Sequence, residues 1–178
     1  PSNIVELFRR LTPESVSKGQ VVIKQGTSSD CCYFIKTGTA EVRLSSEKGP
    51  VTLAVLQSGQ YFGEDGLLME GTRNADVVMQ SDGVVMRLDK KDFDELLKAP
   101  SLALMHFSEA VSAVASGEYE WLDVRLMDEQ AKGILTGALR LPLQALRPLA
   151  HTLPTNKRYV VYCDTGRRST AAAFLLGV

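Results

Sequence analysis

The apolar positions of this chain change period along its length. Ile4, Leu7, Phe8 and Leu11 recur at helical spacing. Asn3 is a suitable N-cap, with Glu6 three residues later, so a helix is expected over 3–11. After Pro13 the pattern turns to short strands punctuated by glycine. Val21-Val22-Ile23 lies between Gly19 and Gly26, and Tyr33-Phe34-Ile35 precedes Gly38. Ala40, Val42 and Leu44 alternate with Glu41 and Arg43, as on a strand with one buried face. Val51, Leu53 and Val55 form a second alternating set. Val84, Met86 and Leu88 form a third, set against Val85, Arg87 and Asp89. Many short strands with glycine turns predict an all-β jelly-roll barrel. A helix over 91–98, ended by Ala99-Pro100, closes it.

The pattern then changes class. Residues 99–107 carry no strong periodicity and read as a junction. Ser108 can cap a helix running to Ser116, with Val111, Val114 and Ala115 on its apolar side and Gly117 ending it. Residues 120–124 read as a strand and 137–142 as a short extended piece. Leu143, Leu146 and Leu149 suggest a helical segment disturbed by Pro148. Tyr159-Val160-Val161-Tyr162 is a continuous apolar run, the type buried on both faces of a parallel sheet. An alanine-rich helix over 169–176 follows. The expectation is a multidomain chain: a barrel with flanking helices over 1–98, a junction over 99–107, and an α/β parallel-sheet unit over 108–178.

Composition narrows the classes. The 178 residues are 44% hydrophobic and 23% charged, ordinary for a folded soluble protein. Twenty Lys+Arg against twenty-one Asp+Glu leave no basic excess of the kind that binds a phosphate backbone, so no nucleic-acid partner is expected. No run approaches the roughly 18 apolar residues of a membrane span. Three cysteines, two of them adjacent (Cys31, Cys32), argue against a disulfide scaffold and for a reducing, cytoplasmic setting. Because adjacent strand residues face opposite sides, one of that pair is expected inward and one outward. His106 and His151 lack partners at metal-ligand spacing, so no metal site is expected. Trp121 and the five methionines read most simply as core.

Between two of the strands the alternation stops, over Tyr61 to Ala75. Here Gly63-Glu64 is followed, nine residues after the Glu, by Arg73. Glycine permits close backbone approach, and a helix beginning near Glu64 would aim free N–H groups at an anion. Arg73 can pair with phosphate oxygens, and Glu64 can accept a ribose hydroxyl. This segment resembles the phosphate-binding cassette of the cyclic-nucleotide-binding domain family, the resemblance covering about residues 3–98 with the spaced glycines Gly19, Gly26, Gly38, Gly59 and Gly63. It implies nucleotide contacts at Gly63, Glu64, Asp65, Gly66, Leu67, Arg73, Asn74 and Ala75. Asp65 and Gly66 replace the family's usual apolar-small pair, and Asn74 stands where Ala, Ser or Thr is common. The choice between cAMP and cGMP stays open. Asp76 is expected to face away from Arg73, Ala75, Val77 and Met79. The alternative is a barrel of the same shape that binds nothing, with Glu64 and Arg73 an ordinary ion pair.

Cys163 ends the last apolar run, just before a helix. The loop reads Cys163-Asp164-Thr165-Gly166-Arg167-Arg168, then Ser169. In open α/β sheets ligands bind beyond the carboxyl ends of strands. The following helix directs its N–H groups at the loop, and Arg167 and Arg168 are expected to add cationic charge. All of this favours thiolate over thiol. With Trp121-Leu122-Asp123-Val124-Arg125, the stretch Gly133 to Ala138 and Pro142, this loop resembles the rhodanese (sulfurtransferase) family over about residues 104–178. The resemblance implies a persulfide formed on Cys163 and passed to an acceptor, with Asp164 to Ser169 as the active-site loop. Its six-residue Cys-x4-Arg loop fits the sulfurtransferases, whereas related phosphatases use a longer Cys-x5-Arg. Ile134 and Thr136 replace the family's usual His and Pro. Asp123 and Arg125 are expected to orient the loop or bind each other. The family normally continues beyond a point equivalent to Val178, so this unit is expected to be C-terminally incomplete.

The combined expectation is a sulfurtransferase acting through Cys163 and regulated by a cyclic nucleotide in the barrel. Its partners would be the nucleotide, a small sulfur donor such as thiosulfate and a thiol acceptor, with no cofactor required for the chemistry, no membrane partner, and a homodimer left open. The competing expectation is a non-enzymatic nucleotide-sensing module whose second unit relays sulfur or only mediates interaction.

Overall fold

The computed structural model describes residues 2–177, without the side chains of Ser2 and Asn3, so the expected Asn3 cap lies outside the described residues. The chain divides into two compact units, Pro1–Ala99 and Pro100–Val178. The first opens with α1 (Ser2–Arg10), followed by β1 (Thr12–Val16), β2 (Val21–Ile23), β3 (Cys31–Thr37), β4 (Ala40–Ser46), β5 (Gly49–Leu56) and β6 (Tyr61–Phe62). Then come α2 (Glu64–Leu68), β7 (Asp76–Met79), β8 (Gly83–Asp89), α3 (Lys90–Phe93) and a π-helical turn, Asp94–Lys98. The strands form two antiparallel four-stranded sheets, ordered β1-β8-β3-β6 and β2-β7-β4-β5. Side chains from both sheets, among them Ile23, Tyr33, Phe62, Met79 and Val85, share one apolar interior. This is the jelly-roll-like barrel that the glycine-punctuated strands imply. Pro13 is tolerated because β1 is an edge strand.

Four expectations for this unit need correction. In β8 the barrel-facing residue is Val85, fully buried opposite Ile35, and not the Val84–Met86–Leu88 set. Leu88, also fully buried, lies on the opposite face opposite Cys32, where α3 packs against β3 and β8. Both faces of this sheet are therefore covered in part, and simple alternation cannot tell barrel interior from helix-covered exterior. For the same reason Cys31 and Cys32 are both buried, at 2% and 1% exposure, so neither faces out. In β5 the strand forms, but Val51, Leu53 and Val55 are each more than half exposed. It is the edge of its sheet, and its residue packed against the core is Leu56, opposite Ala40. The helix expected over 91–98 starts as α-helix, widens to a π turn, and continues through Pro100 as α4 (Ala99–Ser101).

The second unit holds α5 (Phe107–Ala115), β9 (Tyr119–Asp123), α6 (Met127–Ala131), β10 (Leu139–Arg140), α7 (Leu143–Leu149), β11 (Arg158–Tyr162) and α8 (Arg167–Gly177). Its sheet is parallel, ordered β10-β9-β11. Leu122, Val124, Leu141, Leu146 and Ala172 form its core, drawing helices α7 and α8 onto the sheet. The first helix starts at Phe107 and not after Ser108, because Glu109 accepts the His106 N–H (3.0 Å) and Ala110 N–H reaches the His106 carbonyl. Its buried residue is Ala110, while Val111 is 43% exposed. The run Tyr159–Tyr162 is half-buried and not buried on both faces, since β11 is an edge of the sheet among the described residues and β9 is its centre. Trp121 is buried, but Met127 is 74% exposed, so not every methionine is core.

Candidate functional site

In the first unit the connection from β6 to β7 builds one candidate site. Gly63 caps α2 at φ +87°, and a Cβ there would lie 2.8 Å from Ile23 Cδ1 and 2.9 Å from Arg73 Nη1. Only glycine fits that turn without displacing Arg73. Gly66 is needed for a second reason, because a Cβ there would sit 1.9 Å from Ser29 Oγ. Arg73 is 6% exposed. It donates from Nη1 to the Gly63 carbonyl (2.8 Å) and from Nη2 to the Cys31 carbonyl (2.7 Å), with Cys31 Sγ at 3.5 Å. Asp30 Oδ1 lies at 3.8 Å. The main chain locks the same place, through Gly26 N–H to the Arg73 carbonyl (2.9 Å) and Arg73 N–H to the Thr27 carbonyl (2.8 Å). Glu64 is buried in the first turn of α2. The result is a guanidinium held by two main-chain carbonyls, with the Asp30 carboxylate nearby, beside the start of α2, and such a group can pair with an anion. Asp65 and Asn74 lie exposed at its rim, Leu67 is fully buried beneath it, and Ala75 is half-buried. Asp76 turns away, accepting from Gln25 N–H (2.7 Å) and Lys24 Nζ (3.3 Å).

The second site lies at the carboxyl end of β11. Gly166 N–H points at Cys163 Sγ from 3.1 Å and Ser169 N–H from 3.3 Å, and the Ser169 hydroxyl lies 3.4 Å away. Burial by itself would raise the Cys163 pKa. The Ser169 hydroxyl and the N–H groups of Ser169, Gly166 and Thr165 outweigh it, and the net shift is downward. The contrast with the barrel cysteines is direct, because burial dominates there and pushes the Cys32 thiol up to about 12. The expected cationic contribution takes a different form. Arg168 is tied to Glu129 (2.5 and 2.9 Å) and to Asp164 (2.6 Å), so its charge is already matched. The thiol is thus acidified by neutral N–H groups of the loop and of α8's first turn. Arg167 is exposed.

Beneath the loop lies a second network. Asp123, fully buried, takes Arg125 Nε and Nη2 in a fork (2.7–3.1 Å) and the Tyr162 hydroxyl (2.9 Å). Tyr162 in turn accepts from Leu135 N–H (3.1 Å), and Arg125 also reaches the Gly133 carbonyl (2.7 Å). Asp123 and Arg125 bind each other and fix the strand that carries Cys163. They do not bond its sulfur.

Two family matches now bear on these sites. Residues 13–99 match the cyclic nucleotide-binding domain family, and residues 107–177 match the rhodanese-like domain family. The chain carries a cyclic nucleotide-binding domain followed by a rhodanese-like domain. The cAMP-dependent protein kinase type II regulatory subunit of Drosophila melanogaster is 38% identical over 102 residues, which is 57% of this chain and 27% of that protein. The cGMP-dependent protein kinase egl-4 of Caenorhabditis elegans is 32% identical over 108 residues, 52% of this chain and 14% of that protein. The chain therefore spans about a quarter or less of these relatives. The regulatory domain of Toxoplasma gondii PKA with cAMP superposes with a TM-score of 0.53 at 25% identity, covering 65% of this chain and 42% of that one. The Thermus thermophilus catabolite activator protein shares the fold, with a TM-score of 0.52 at 24% identity over 66% of this chain and 54% of that one.

The two domains use their site residues differently. The cyclic nucleotide-binding domain brings Gly63, Glu64, Gly66 and Arg73 together around α2, and sequence reasoning missed only their supports, Ser29, Asp30 and Cys31. The rhodanese-like domain brings Asp164, Thr165, Gly166 and Ser169 around Cys163 and ties Arg168 to Glu129 and Asp164. Glu129 was not foreseen there, nor was its helix α6. The available signal was its position three residues after Leu126, where its carboxylate takes the Leu126 N–H (2.8 Å) and starts a helix. Among the described residues no group of three or more His, Cys, Asp or Glu could hold a metal ion. No described helix is long and apolar enough to cross a membrane.

Proposed function

We propose that this protein is a rhodanese-type sulfurtransferase whose activity responds to a cyclic nucleotide, cAMP or cGMP, bound at Gly63–Leu67 and Arg73–Ala75. The observation that carries the catalytic reading is the convergence of loop N–H groups on Cys163 Sγ. Such a cradle stabilises an anionic sulfur, whether thiolate or persulfide.

With thiosulfate as donor, the Cys163 thiolate attacks the outer sulfur, the S–S bond breaks, and sulfite leaves with its electron pair. The product is a Cys163 persulfide. An acceptor thiolate then attacks the outer sulfur, a new S–S bond forms, and Cys163 leaves as thiolate. The Gly166 and Ser169 N–H groups face the sulfur that is anionic at the start and end of the cycle. The nucleotide reading rests on the buried Arg73, held by carbonyls and available to a phosphate, and on the cAMP- and cGMP-dependent kinases among the relatives. Three free cysteines suit a reducing, cytoplasmic setting.

Thiosulfate-to-cyanide transfer, measured with and without each nucleotide and with Cys163→Ser as blank, tests the proposal. Turnover that disappears in the blank and changes with one nucleotide supports it. Turnover indifferent to both nucleotides removes the regulation, and no turnover moves the second domain to a sulfur relay.

A further inference from the structure

Arg168 stands next to a loop built to hold an anionic sulfur, yet its guanidinium bonds two carboxylates instead. Glu129 takes both Nη1 (2.5 Å) and Nη2 (2.9 Å), and Asp164 takes Nη2 (2.6 Å). Glu129 is itself fixed, because its Oε2 also accepts the Leu126 N–H at the start of α6. The Arg168 side chain is 16% exposed and Glu129 28%, so the pair is shielded from solvent on most sides. A partly buried bidentate pair of this kind holds its geometry better than a surface ion pair. Asp164, at 52% exposure, closes the third side.

We infer that Glu129 is a positioning residue for sulfur transfer: with Asp164 it ties the Arg168 guanidinium to carboxylates instead of Cys163, so that the loop N–H groups and the Ser169 hydroxyl balance the sulfur's charge. The inference rests on the sulfurtransferase reading of Cys163. The groups bonded to Sγ agree with it, being the N–H groups of Gly166 and Ser169 and the Ser169 hydroxyl. The remaining charged groups around the loop are accounted for as well. Arg167 is exposed on α8, and on the β9–β11 side Arg125 is matched by Asp123 and lies over the Tyr162 ring. Arg168 is thus the charge whose reach Glu129 limits, with Asp164 holding Nη2 on the other side. The chemical consequence concerns nucleophilicity. A cation at the sulfur would lower its pKa further, raising the thiolate fraction but weakening each thiolate as an attacking group and improving it as a leaving group. Holding Arg168 away keeps the sulfur a stronger nucleophile toward the donor.

The test is the pH profile of Cys163 alkylation by iodoacetamide in Glu129→Gln, Arg168→Met and the double variant, with Cys163→Ser as blank. Glutamine keeps the size and the acceptor for Leu126 N–H while giving up the charge and one of the two oxygens that hold the guanidinium. In the wild-type background Glu129→Gln is expected to lower the alkylation midpoint by about half a pH unit or more, as a freed charge nearby would. In the Arg168→Met background the same substitution is expected to move it by less than about 0.2 unit, because no guanidinium remains to be released. A midpoint that rises or stays put in the wild-type background overturns the inference, since loosening the loop would disperse the N–H donors. An equal fall in both backgrounds also overturns it, because Glu129 would then act only through its own charge. Should Glu129→Gln fail to give a cooperative melt, the exposed Asp164→Asn replaces it in the same cycle with the same expectation. The wild-type profile separates this inference from the reading beneath it. A wild-type midpoint no lower than that of a free thiol defeats the sulfurtransferase reading, whatever the variants do.

Discussion

A cysteine becomes a nucleophile through the groups aimed at its sulfur. Cys163 receives N–H groups from Gly166 and Ser169, and these outweigh a burial that would otherwise protonate it. Its alkylation midpoint is therefore expected below about 8.5, the ordinary value for cysteine. Ser169→Ala, which removes the hydroxyl, should raise that midpoint, and a pH series of iodoacetamide rates reads both. The stability linkage has a definite sign. A folded pKa below the unfolded one makes the thiolate stabilising above the unfolded pKa, and that stabilisation disappears as pH falls through the folded value. In the barrel the decisive residue is Gly66. A Cβ there overlaps Ser29 Oγ at 1.9 Å, so Gly66→Ala must displace either α2 or Ser29 in the connection before β3. A loss of nucleotide affinity of tenfold or more is expected by isothermal titration, with a stability cost of about 1–3 kcal/mol. Both candidate positions stand out in the sequence, because a glycine-rich turn and a strand-end cysteine are local signals. Their supports do not. Glu129 reaches Arg168 across 39 residues, and no local pattern announces a contact made by the fold.

Elements are held by what they bury, and one edge strand and one central strand illustrate opposite cases. On β5, Val51, Leu53 and Val55 alternate as a core strand would, yet all three are exposed. Alternation reports that one face differs from the other, and it does not report which face meets the interior. Replacing any of them with threonine should change the folding free energy by less than about 0.5 kcal/mol, as for other surface positions, and a denaturant titration checks this. On β9 the polar residue is the buried one. Asp123 is 0% exposed and depends on Arg125 and Tyr162 for compensation. Arg125→Met should leave that carboxylate unpaired and cost about 3 kcal/mol or more, seen as a lowered melting temperature of the rhodanese-like domain. The pH dependence adds a check. Burial would raise the Asp123 pKa, but its bonds to Arg125 and Tyr162 prevail and lower it. The stabilisation is present above the ordinary carboxylate value of about 4 and is lost as pH falls through the lower folded value. In Arg125→Met that acid-side loss should begin at higher pH. Helices stand out in the sequence where propensity is strong, as in the alanine-rich α8. The short α6 was missed because five residues stabilised by one carboxylate carry no periodicity.

At the scale of the whole chain, two units with separate cores should respond to separate ligands. A ligand that binds only the native barrel stabilises it by about 2.7 kcal/mol at a hundredfold excess over Kd. Saturating cyclic nucleotide should therefore raise the melting temperature of the cyclic nucleotide-binding domain, and Arg73→Ala should abolish the rise. Regulation demands more than stabilisation, because a ligand shifts an equilibrium only by its differential affinity for two states. If nucleotide changes how readily Cys163 accepts sulfur, the persulfide must change nucleotide affinity by the same factor. That reciprocity permits a test without measuring turnover. Nucleotide affinity of the thiol form and of the isolated persulfide form should differ by about fivefold or more, the lower end of ordinary allosteric coupling. Cys163→Ser exposed to the same donor should show no such difference. Equal affinities in the two wild-type forms would separate the domains energetically, leaving a binding barrel and a sulfur-handling domain that share a chain but not a signal.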